Sequence, residues 1–223
     1  MLKILVKIKG IILRPVPSLK EMKEGKTSLL EPFVIILSQG LLTGLATFIS
    51  VMKILDIMQI DPSEVGLEGF SGIRLVYGTL VFSFTAWFII SGVFHLIAKA
   101  LKGSGTFEKL LELVGWCRLP QIFSSTSNLL TMALYSPKIP DIPIESMSPA
   151  EKAEFLKNLM ATKPTEVGMA INRIFGLVML IWFLALSVLA VKEEHNLSYY
   201  KATLTVALPT LIYLIASLYL PTI

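Results

Sequence analysis

Five long blocks without a charged residue constrain this chain more than any other feature of its sequence. They cover residues 33–52, 75–98, 119–135, 174–191 and 202–223. A helix that crosses the hydrocarbon core of a bilayer needs about 17–25 apolar residues, and helices satisfy their backbone polar groups where lipid cannot. The sequence therefore predicts an all-α integral membrane bundle of five transmembrane helices with short amphipathic interfacial helices. The predicted spans are at about 33–53, 75–98, 118–136, 172–191 and 201–220.

Composition agrees with this prediction and limits what else the chain holds. Hydrophobic residues make up 54% of the 223 residues and charged residues 16%, whereas soluble domains average about 45–50% and 25%. Outside the five spans the sequence contains only short loops and an N-terminal tail. We therefore expect two regions, a basic cytoplasmic tail at 1–32 and a membrane domain at 33–223, and no catalytic domain outside the membrane.

The distribution of Lys and Arg predicts the orientation of the chain. Cytoplasmic flanks of membrane spans are enriched in these two residues. Seven of them precede the first span and three lie in the short loop 99–109, whereas the loop 53–74 contains two with four acidic residues. We expect a multi-pass protein of the cell membrane with a cytoplasmic N-terminus and, after five spans, a C-terminus outside.

The N-terminal tail has the pattern of an amphipathic helix with a basic stripe. A helix that lies in the headgroup plane would turn this stripe toward anionic lipid. Pro15 and Pro17 predict the end of the helix. Ser18 begins a capping-box pattern that predicts the start of a second helix, and Gly25 its end. The tail is interpreted as a lipid anchor or, alternatively, as an arm that docks a partner. The stripe consists of Lys3, Lys7, Gly10 and Arg14.

The long third loop, between the third and fourth predicted spans, contains a second signal for an amphipathic helix. Ser148 and Glu151 have the spacing of a capping box, with Pro149 between them in the first turn. The pattern predicts a helix at about 149–161. Its expected role is that of a packed lid, with ligand binding as the alternative.

Small residues in the first span predict close helix packing. Gly40 and Gly44 form a Gly-x-x-x-Gly pattern, which lets two helix backbones approach closely in lipid. Packing within the chain is the favoured interpretation, and a dimer face is the alternative.

The third span has an unusual approach. A glycine-rich turn at 102–106 precedes Thr106, which predicts a helix N-cap, and Glu108 suits the first turn of that helix. Pro120 removes a backbone hydrogen bond and predicts a bend. The sequence therefore predicts an interfacial half-helix that ends near Cys117, a kink, and then the span.

Polar residues accompany this third span. Glu112 and Arg118 lie near its cytoplasmic end, where snorkelling to the headgroups is the simplest expectation. The run 124–131, which includes Asn128, is too polar to face lipid on all sides. Hydrogen bonding to neighbouring helices is the favoured interpretation, and a lining of a substrate path is the alternative.

Catalytic and metal-binding patterns are weak or absent in the sequence. His95 and His195 are a hundred residues apart, and a metal site needs three or four converging ligands. The sequence contains no His-Glu-x-x-His and no Gly-x-Ser-x-Gly motif. We therefore expect no enzymatic activity and no cofactor, and a metal site at the two histidines is the weakest of the hypotheses.

Four stretches in the order in which they occur resemble the Yip family of five-span membrane proteins, in its compact prokaryotic form. The family is named for interaction with Ypt/Rab GTPases, and the resemblance covers about 11–213. The eukaryotic Asp-Leu-Tyr-Gly-Pro segment is matched here only by Leu29 and Pro32. The stretches are Arg14-Pro15 with Leu19-Lys20-Glu21, Leu29-Leu30-Glu31-Pro32-Phe33, Gly103-Ser104-Gly105-Thr106-Phe107 with Gly115-Trp116-Cys117-Arg118-Leu119-Pro120, and 184–202.

The resemblance implies a non-enzymatic scaffold or adaptor in membrane organisation or trafficking. The expected partners are the lipid bilayer, a protein at the cytoplasmic face and a second copy of the chain, with no nucleic acid. The alternative is a small transporter or channel that uses the polar, proline-broken third span. The residues that carry the family pattern, and are candidates for partner contacts, are Pro15, Pro32, Gly103, Gly105, Phe107, Glu108, Glu112, Gly115, Arg118, Pro120 and His195.

Overall fold

The computed structural model describes residues 2–65, 72–134 and 163–219 and, between them, positions 147, 148, 150, 151, 154, 155 and 158. These residues contain helices and turns and no β-strand, which confirms the all-α class. The helices are α1 (Leu2–Leu13), α2 (Pro15–Glu24), α3 (Leu30–Met58), α4 (Ile73–Ala100), α5 (Phe107–Cys117), α6 (Leu119–Leu134), α7 (Lys163–His195) and α8 (Tyr199–Tyr219), with a 3-10 helix at Pro62–Val65.

Among the described residues, three helices are long and apolar enough to cross a membrane. They are Leu30–Met58, Ile73–Ala100 and the part Gly168–His195 of α7. Large apolar side chains stay exposed on them, for example Phe82 at 73% and Ile174 at 64%, as expected where the solvent is lipid. The other two predicted spans coincide with α6, of 16 residues, and α8, of 21 residues. The count of five spans and the division at residue 32 stay predictions.

The chain forms two compact units. The first comprises 1–37, 83–121 and 180–223, and the second comprises 38–82 and 122–179. The first unit has a core of buried apolar side chains from α3, α4, α5, α7 and α8. These helices are far apart in the sequence, and the shared core packs them against one another. Its members include Ile36, Trp87, Phe94, Leu110, Val114, Val191, Ala202 and Val206.

Three helices end in the same backbone motif. After α3, α4 and α7, the residues Gln59, Lys102 and Asn196 have positive φ values of 53°, 69° and 53°. The next residue in each case donates its N–H five positions back, as Gly103 does to Ala98 O at 2.8 Å. This is the Schellman motif, which usually has glycine at the left-handed position. In the turn after α4, that position therefore belongs to Lys102 and not to either glycine.

The N-terminal helices differ from the sequence prediction in two ways. The chain breaks at Arg14 as expected, but α2 begins at Pro15, with Arg14 as its N-cap. Ser18 therefore lies inside α2 and the predicted capping box is wrong, because proline is well suited to the first helical position. Gly25 is the C-cap of α2, in an extended conformation.

The middle of the basic stripe of α1, Lys7 and Gly10, packs against the first unit. Lys7 forms an ion pair with Glu31 and lies 5.6 Å from the ring centre of Trp116, and a Cβ on Gly10 would meet Ser18 Oγ at 2.5 Å. The expected contact with lipid is therefore wrong for Lys7, because its ammonium group is paired with the Glu31 carboxylate and lies over the buried Trp116 ring.

In the second unit, the Gly-x-x-x-Gly pattern of α3 packs against α4. A Cβ on Gly44 would lie 2.9 Å from Val76 Cα and 2.5 Å from Thr79 Oγ1. The Thr79 hydroxyl donates to Val76 O at 2.8 Å and lies 3.4 Å from Gly40 O. Gly44 thus lets α3 approach α4 closely within the chain, and Gly40 contributes its backbone carbonyl to the same contact.

The capping box in the long loop is present in the second unit. Ser148 N donates to Glu151 Oε2 at 2.7 Å, and Glu151 N donates to Ser148 Oγ at 3.4 Å. These hydrogen bonds hold the pKa of the Glu151 carboxyl below its ordinary value. Residues 150, 151, 154, 155 and 158 are helical. The rest of the helix predicted at 149–161 lies outside the described residues.

Candidate functional site

Three segments of the first unit that are distant in sequence meet at one place. They are α2, the turn 101–106 after α4, and the turn 196–198 between α7 and α8, and we call their meeting place the loop junction. Asn196 connects all three: its Oδ1 accepts from Lys23 Nζ at 2.8 Å and its Nδ2 donates to Ser104 Oγ at 2.9 Å. Lys23 also donates to Glu193 O. One exposed amide therefore braces the three segments together.

The carboxylate of Glu194 holds the start of α5 at the loop junction. Its Oε1 accepts from Thr106 N at 2.7 Å and lies 3.3 Å from Thr106 Oγ1. Thr106 is also the N-cap of α5, since its Oγ1 accepts from Lys109 N at 3.4 Å, which confirms the predicted cap. An anionic side chain near a helix N-terminus is favourable, because the N–H groups there are unpaired and the dipole is positive. Glu194 is 5% exposed.

The glycines of the turn serve close approach at the loop junction. A Cβ on Gly103 would lie 2.8 Å from His195 Cβ and 2.9 Å from Ala98 O, and a Cβ on Gly105 would lie 2.5 Å from Glu194 O. Real Cβ atoms essentially never approach other atoms this closely. Glycine is therefore needed at positions 103 and 105 because α7 packs directly against the turn. The left-handed backbone conformation of the turn is adopted by Lys102.

The two histidines come together beside this turn. The ring centres of His95 and His195 are 5.1 Å apart, and Phe107 packs edge-on against His95 at 5.8 Å. His195 is 1% exposed, and neither of its ring nitrogens has a hydrogen-bond partner among the described residues. In the same part of the chain, no group of three or more His, Cys, Asp or Glu could hold a metal ion. Metal ligation by this pair stays the weakest hypothesis.

Lys109, one partner of a buried ion pair within α5, attaches the end of α2 to α5. Lys109 Nζ lies 2.8 Å from Glu112 Oε2, and it donates to Met22 O at 3.0 Å and to Gly25 O at 2.9 Å. The side chains of Lys109 and Glu112 are 8% and 2% exposed. The expectation that Glu112 snorkels is wrong, because its charge is matched inside the protein by a lysine whose three donors are all used.

Arg118 is also buried, at 7% exposure, and its guanidinium carbon lies 5.5 Å from the ring centre of Phe183. A guanidinium over an aromatic face is a favourable cation–π arrangement. Snorkelling of Arg118 is therefore wrong as well. Arg118 separates α5 from α6, and Pro120 follows in the first turn of α6, which confirms a helix that ends at Cys117 and a break before α6.

The remaining family-pattern residues lie elsewhere in the first unit. A Cβ on Gly115 would meet Pro32 Cβ at 2.5 Å and the Trp87 ring at 3.1 Å, so this glycine lets α5 approach α3 and α4. Trp87 in turn donates its indole N–H to Leu111 O at 3.0 Å. Glu108 is exposed in the first turn of α5, and Pro15 is the first residue of α2. The pattern thus spreads over one packed unit. Gly103, Gly105 and His195 lie at the loop junction, and Glu108 follows the turn closely.

The polar face of α6 lies in the second unit and is hydrogen-bonded there. Ser127 Oγ donates to Asn172 Oδ1 at 2.9 Å, and Asn172 Nδ2 donates to Asn128 Oδ1 at 3.1 Å. Ser125 and Thr43 share a hydroxyl contact of 3.0 Å. These bonds between helices support the packing interpretation of the run 124–131, and Asn172 is the partner that sequence reasoning missed.

We expect Asn172→Leu to destabilise the protein by about 1 kcal/mol, since polar contacts between membrane helices have this order of strength. The substitution leaves the Ser127 hydroxyl and the Asn128 carbonyl without their partner. Thermal unfolding in detergent, followed by circular dichroism, measures the effect. Ile174→Leu, at an exposed apolar position of the same helix, is the control that should melt like the wild type. An unchanged melting temperature for Asn172→Leu would contradict the packing role.

Several residues of the loop junction carried no signal in the sequence. Lys23 and Glu194 are common surface residue types, and nothing local distinguishes them from solvated side chains. Lys109 also looks like one member of a basic loop. A clue for Asn196 was available, because asparagine tolerates the left-handed position after a helix. Its second role, in bracing α2 and the turn, depends on contacts over 173 and 92 positions.

Comparison with known proteins gives this geometry its context. No solved structure matches the chain. An uncharacterized protein of Methanocaldococcus jannaschii is 32% identical over 119 residues, which are 53% of this chain and 83% of that protein. The model of the Yip1 domain family matches residues 9–220, which include α2, the glycine turn, the loop junction and all the predicted spans. The chain therefore belongs to the Yip1 domain family, a family of membrane proteins.

Proposed function

We propose that this protein is a non-enzymatic membrane adaptor whose loop junction binds a protein partner on the cytoplasmic side. The observation that carries the proposal is the bracing of three sequence-distant segments by Lys23, Asn196, Ser104 and Glu194 into one surface. A rigid surface loses little conformational entropy when it binds. Such bracing favours a preformed binding face over three independent loops.

The exposed residues around the loop junction have the chemistry of a binding face. Lys20, Lys102 and Glu108 are exposed there, and Tyr200 is 73% exposed at the start of α8. Tyrosine is enriched in protein interfaces because it presents a large apolar ring with a polar end. Basic residues near the same face fit the cytoplasmic orientation that the distribution of Lys and Arg predicts.

Site-specific photo-cross-linking tests the proposal in native membranes. A photoreactive amino acid replaces Lys20, Lys102 or Ser198, one in each segment of the junction, and Ile89, an exposed apolar residue of α4, serves as the control. We expect one and the same protein to be captured from the three junction positions and not from position 89. Asn196→Ala should reduce this capture, because it removes the hydrogen bonds to Lys23 and Ser104.

Two outcomes would contradict the adaptor proposal. One is that the three positions capture no common protein. The other is that the captured protein appears equally from position 89, or is unaffected by Asn196→Ala when the variant is present in the membrane at the wild-type level. Either result would mean that the junction is a structural brace and not a binding face.

The transport alternative is less well supported, since Ser125, Ser127 and Asn128 of α6 bond to other helices of the second unit. Thr126 and Thr131 donate to carbonyls within α6 itself. We expect protein reconstituted in liposomes to show no flux above protein-free vesicles for a panel of ions and small solutes. A flux that disappears in Asn128→Ala or Arg118→Ala would instead favour a transporter.

A further inference from the structure

A cleft of about 570 Å³ opens between α1 and α2, with α5 contributing to its wall. All of its lining residues belong to the first unit. Polar and charged side chains face it from three helices, and this distinguishes it from the apolar surfaces of the spans. Its charged and hydroxyl-bearing lining residues are Lys7, Arg14, Ser18, Glu21, Lys26 and Glu112.

The unpaired charge of the cleft is positive. Lys7 is matched by Glu31, and Glu112 is matched by Lys109. Arg14 and Lys26 are exposed and take part in no ion pair within the part of the chain that the structure describes. Against these two cations the lining contains one further acid, Glu21. The cleft thus offers two available cations to an anionic ligand.

The outer surface of α1 indicates the depth at which the cleft lies. Leu5, Val6 and Leu13 are 55%, 66% and 64% exposed. Lys9 is exposed on the same face, and a short helix that exposes both apolar and basic side chains suits the boundary between headgroups and acyl chains. Phospholipid phosphates occupy this same depth, so the abundant anionic ligand near the cleft is a lipid headgroup.

We propose that the cleft between α1 and α2 binds the phosphate headgroup of one anionic phospholipid, with Arg14 and Lys26 contacting the phosphate. Arginine matches phosphate with a planar fork of donors, and lysine adds a mobile point charge. Ser18 supplies a hydroxyl in the same lining. This inference is independent of the adaptor proposal, since it requires only that the first unit lies at a membrane surface.

Binding of short-chain lipids to the full-length protein in an uncharged detergent tests the proposal. The probes are dihexanoyl phosphatidylglycerol, dihexanoyl phosphatidylcholine and inorganic phosphate, and native mass spectrometry counts the bound molecules. We expect one phosphatidylglycerol per chain, with weaker binding of phosphatidylcholine and no competition by inorganic phosphate at equal concentration. If inorganic phosphate competed at equal concentration, the cleft would be a site for a free anion, and the proposal of a lipid headgroup would be overturned.

Charge-matched variants separate a site from diffuse attraction. Arg14→Gln with Lys26→Gln removes the two unpaired cations of the cleft, whereas Lys9→Gln with Lys20→Gln removes two exposed cations of α1 and α2 outside it. The double variant at positions 14 and 26 should weaken phosphatidylglycerol binding about thirtyfold. Each basic residue near a headgroup contributes about 1 kcal/mol, which is a little over fivefold in affinity. The second pair should leave the affinity near the wild-type value. Equal losses in both pairs would overturn the proposal.

A variant that should gain affinity keeps the proposal testable if Arg14→Gln with Lys26→Gln fails to fold. Glu21→Gln removes an acid from the lining and should strengthen phosphatidylglycerol binding about fivefold. Glu24→Gln, an exposed acid of α2 outside the lining, should have no comparable effect. An unchanged affinity in Glu21→Gln, or the same gain in both variants, would also overturn the proposal.

Discussion

Replacing Lys109 with methionine should destabilise the protein by about 3–5 kcal/mol, which is the usual effect of removing one partner from a buried ion pair. Lys109→Met retains the length of the side chain but leaves Glu112, at 2% exposure, without its counter-ion. It also removes the donors to Met22 O and Gly25 O, which attach the end of α2 to α5. Thermal unfolding in detergent measures the loss. Limited trypsin digestion at Lys23 and Lys26 should accelerate as α2 detaches.

A second substitution shows whether the unpaired charge causes the loss. In Lys109→Met with Glu112→Leu, neither of the two positions carries a charge, and buried ion pairs are often replaceable by apolar residues without loss of stability. We expect the double variant to recover most of the melting temperature of the wild type. Lys20→Met, at an exposed position of α2, should have no effect. If the double variant were as unstable as Lys109→Met, the unmatched Glu112 would not be the cause.

Alanine at position 105 should destabilise the loop junction by about 1–3 kcal/mol, the usual range for overpacking a closely packed site. The new Cβ would lie 2.5 Å from Glu194 O and 2.8 Å from Glu194 C. Both are backbone atoms, so the turn must move away from α7. That movement weakens the hydrogen bond from Thr106 N to Glu194 Oε1. Thermal unfolding and hydrogen exchange of the Thr106 amide report the two effects.

Gly92→Ala is the matched control for Gly105→Ala. Gly92 lies within α4 in the same unit, and a Cβ there would have its nearest contact at 4.0 Å, with the Phe107 ring. Alanine also favours a helix over glycine by about 0.8–1.0 kcal/mol. We expect Gly92→Ala to be neutral or stabilising. If the two variants lowered the melting temperature equally, the loss would reflect glycine replacement in general and not the contact with Glu194.

The helical elements were largely predictable because they depend on local sequence. The span predicted at 75–98 corresponds to Ile73–Ala100, and that at 33–53 to Leu30–Met58. The N-cap at Thr106 and the break between α5 and α6 were predicted from the local preferences of threonine and proline. The error at Ser18 was also local. Two overlapping start signals competed, and the proline at the first helical position prevailed over the capping box.

The partners of the polar residues were not predictable in the same way. Glu112 and Arg118 have the sequence signature of snorkelling side chains, yet both are buried, one against Lys109 and the other against the Phe183 ring. The basic stripe of α1 likewise contains Lys7, which is bound by Glu31. The periodicity of polar and apolar residues and the composition of a helix predict which of its faces is polar. They do not tell whether that face meets water, lipid headgroups or an opposite charge.

The sequence by itself determined that this chain is helical, that lipid is its solvent, and where most helices begin and end, because apolar block length, capping residues and prolines act within a few positions. Only the tertiary structure decided that Gly103 and Gly105 lie against α7, that Lys23, Ser104 and Asn196 form one junction, and that Lys109 neutralises Glu112. The junction contacts join residues about 90 to 170 positions apart. Their geometry depends on how the helices pack, which no local pattern specifies.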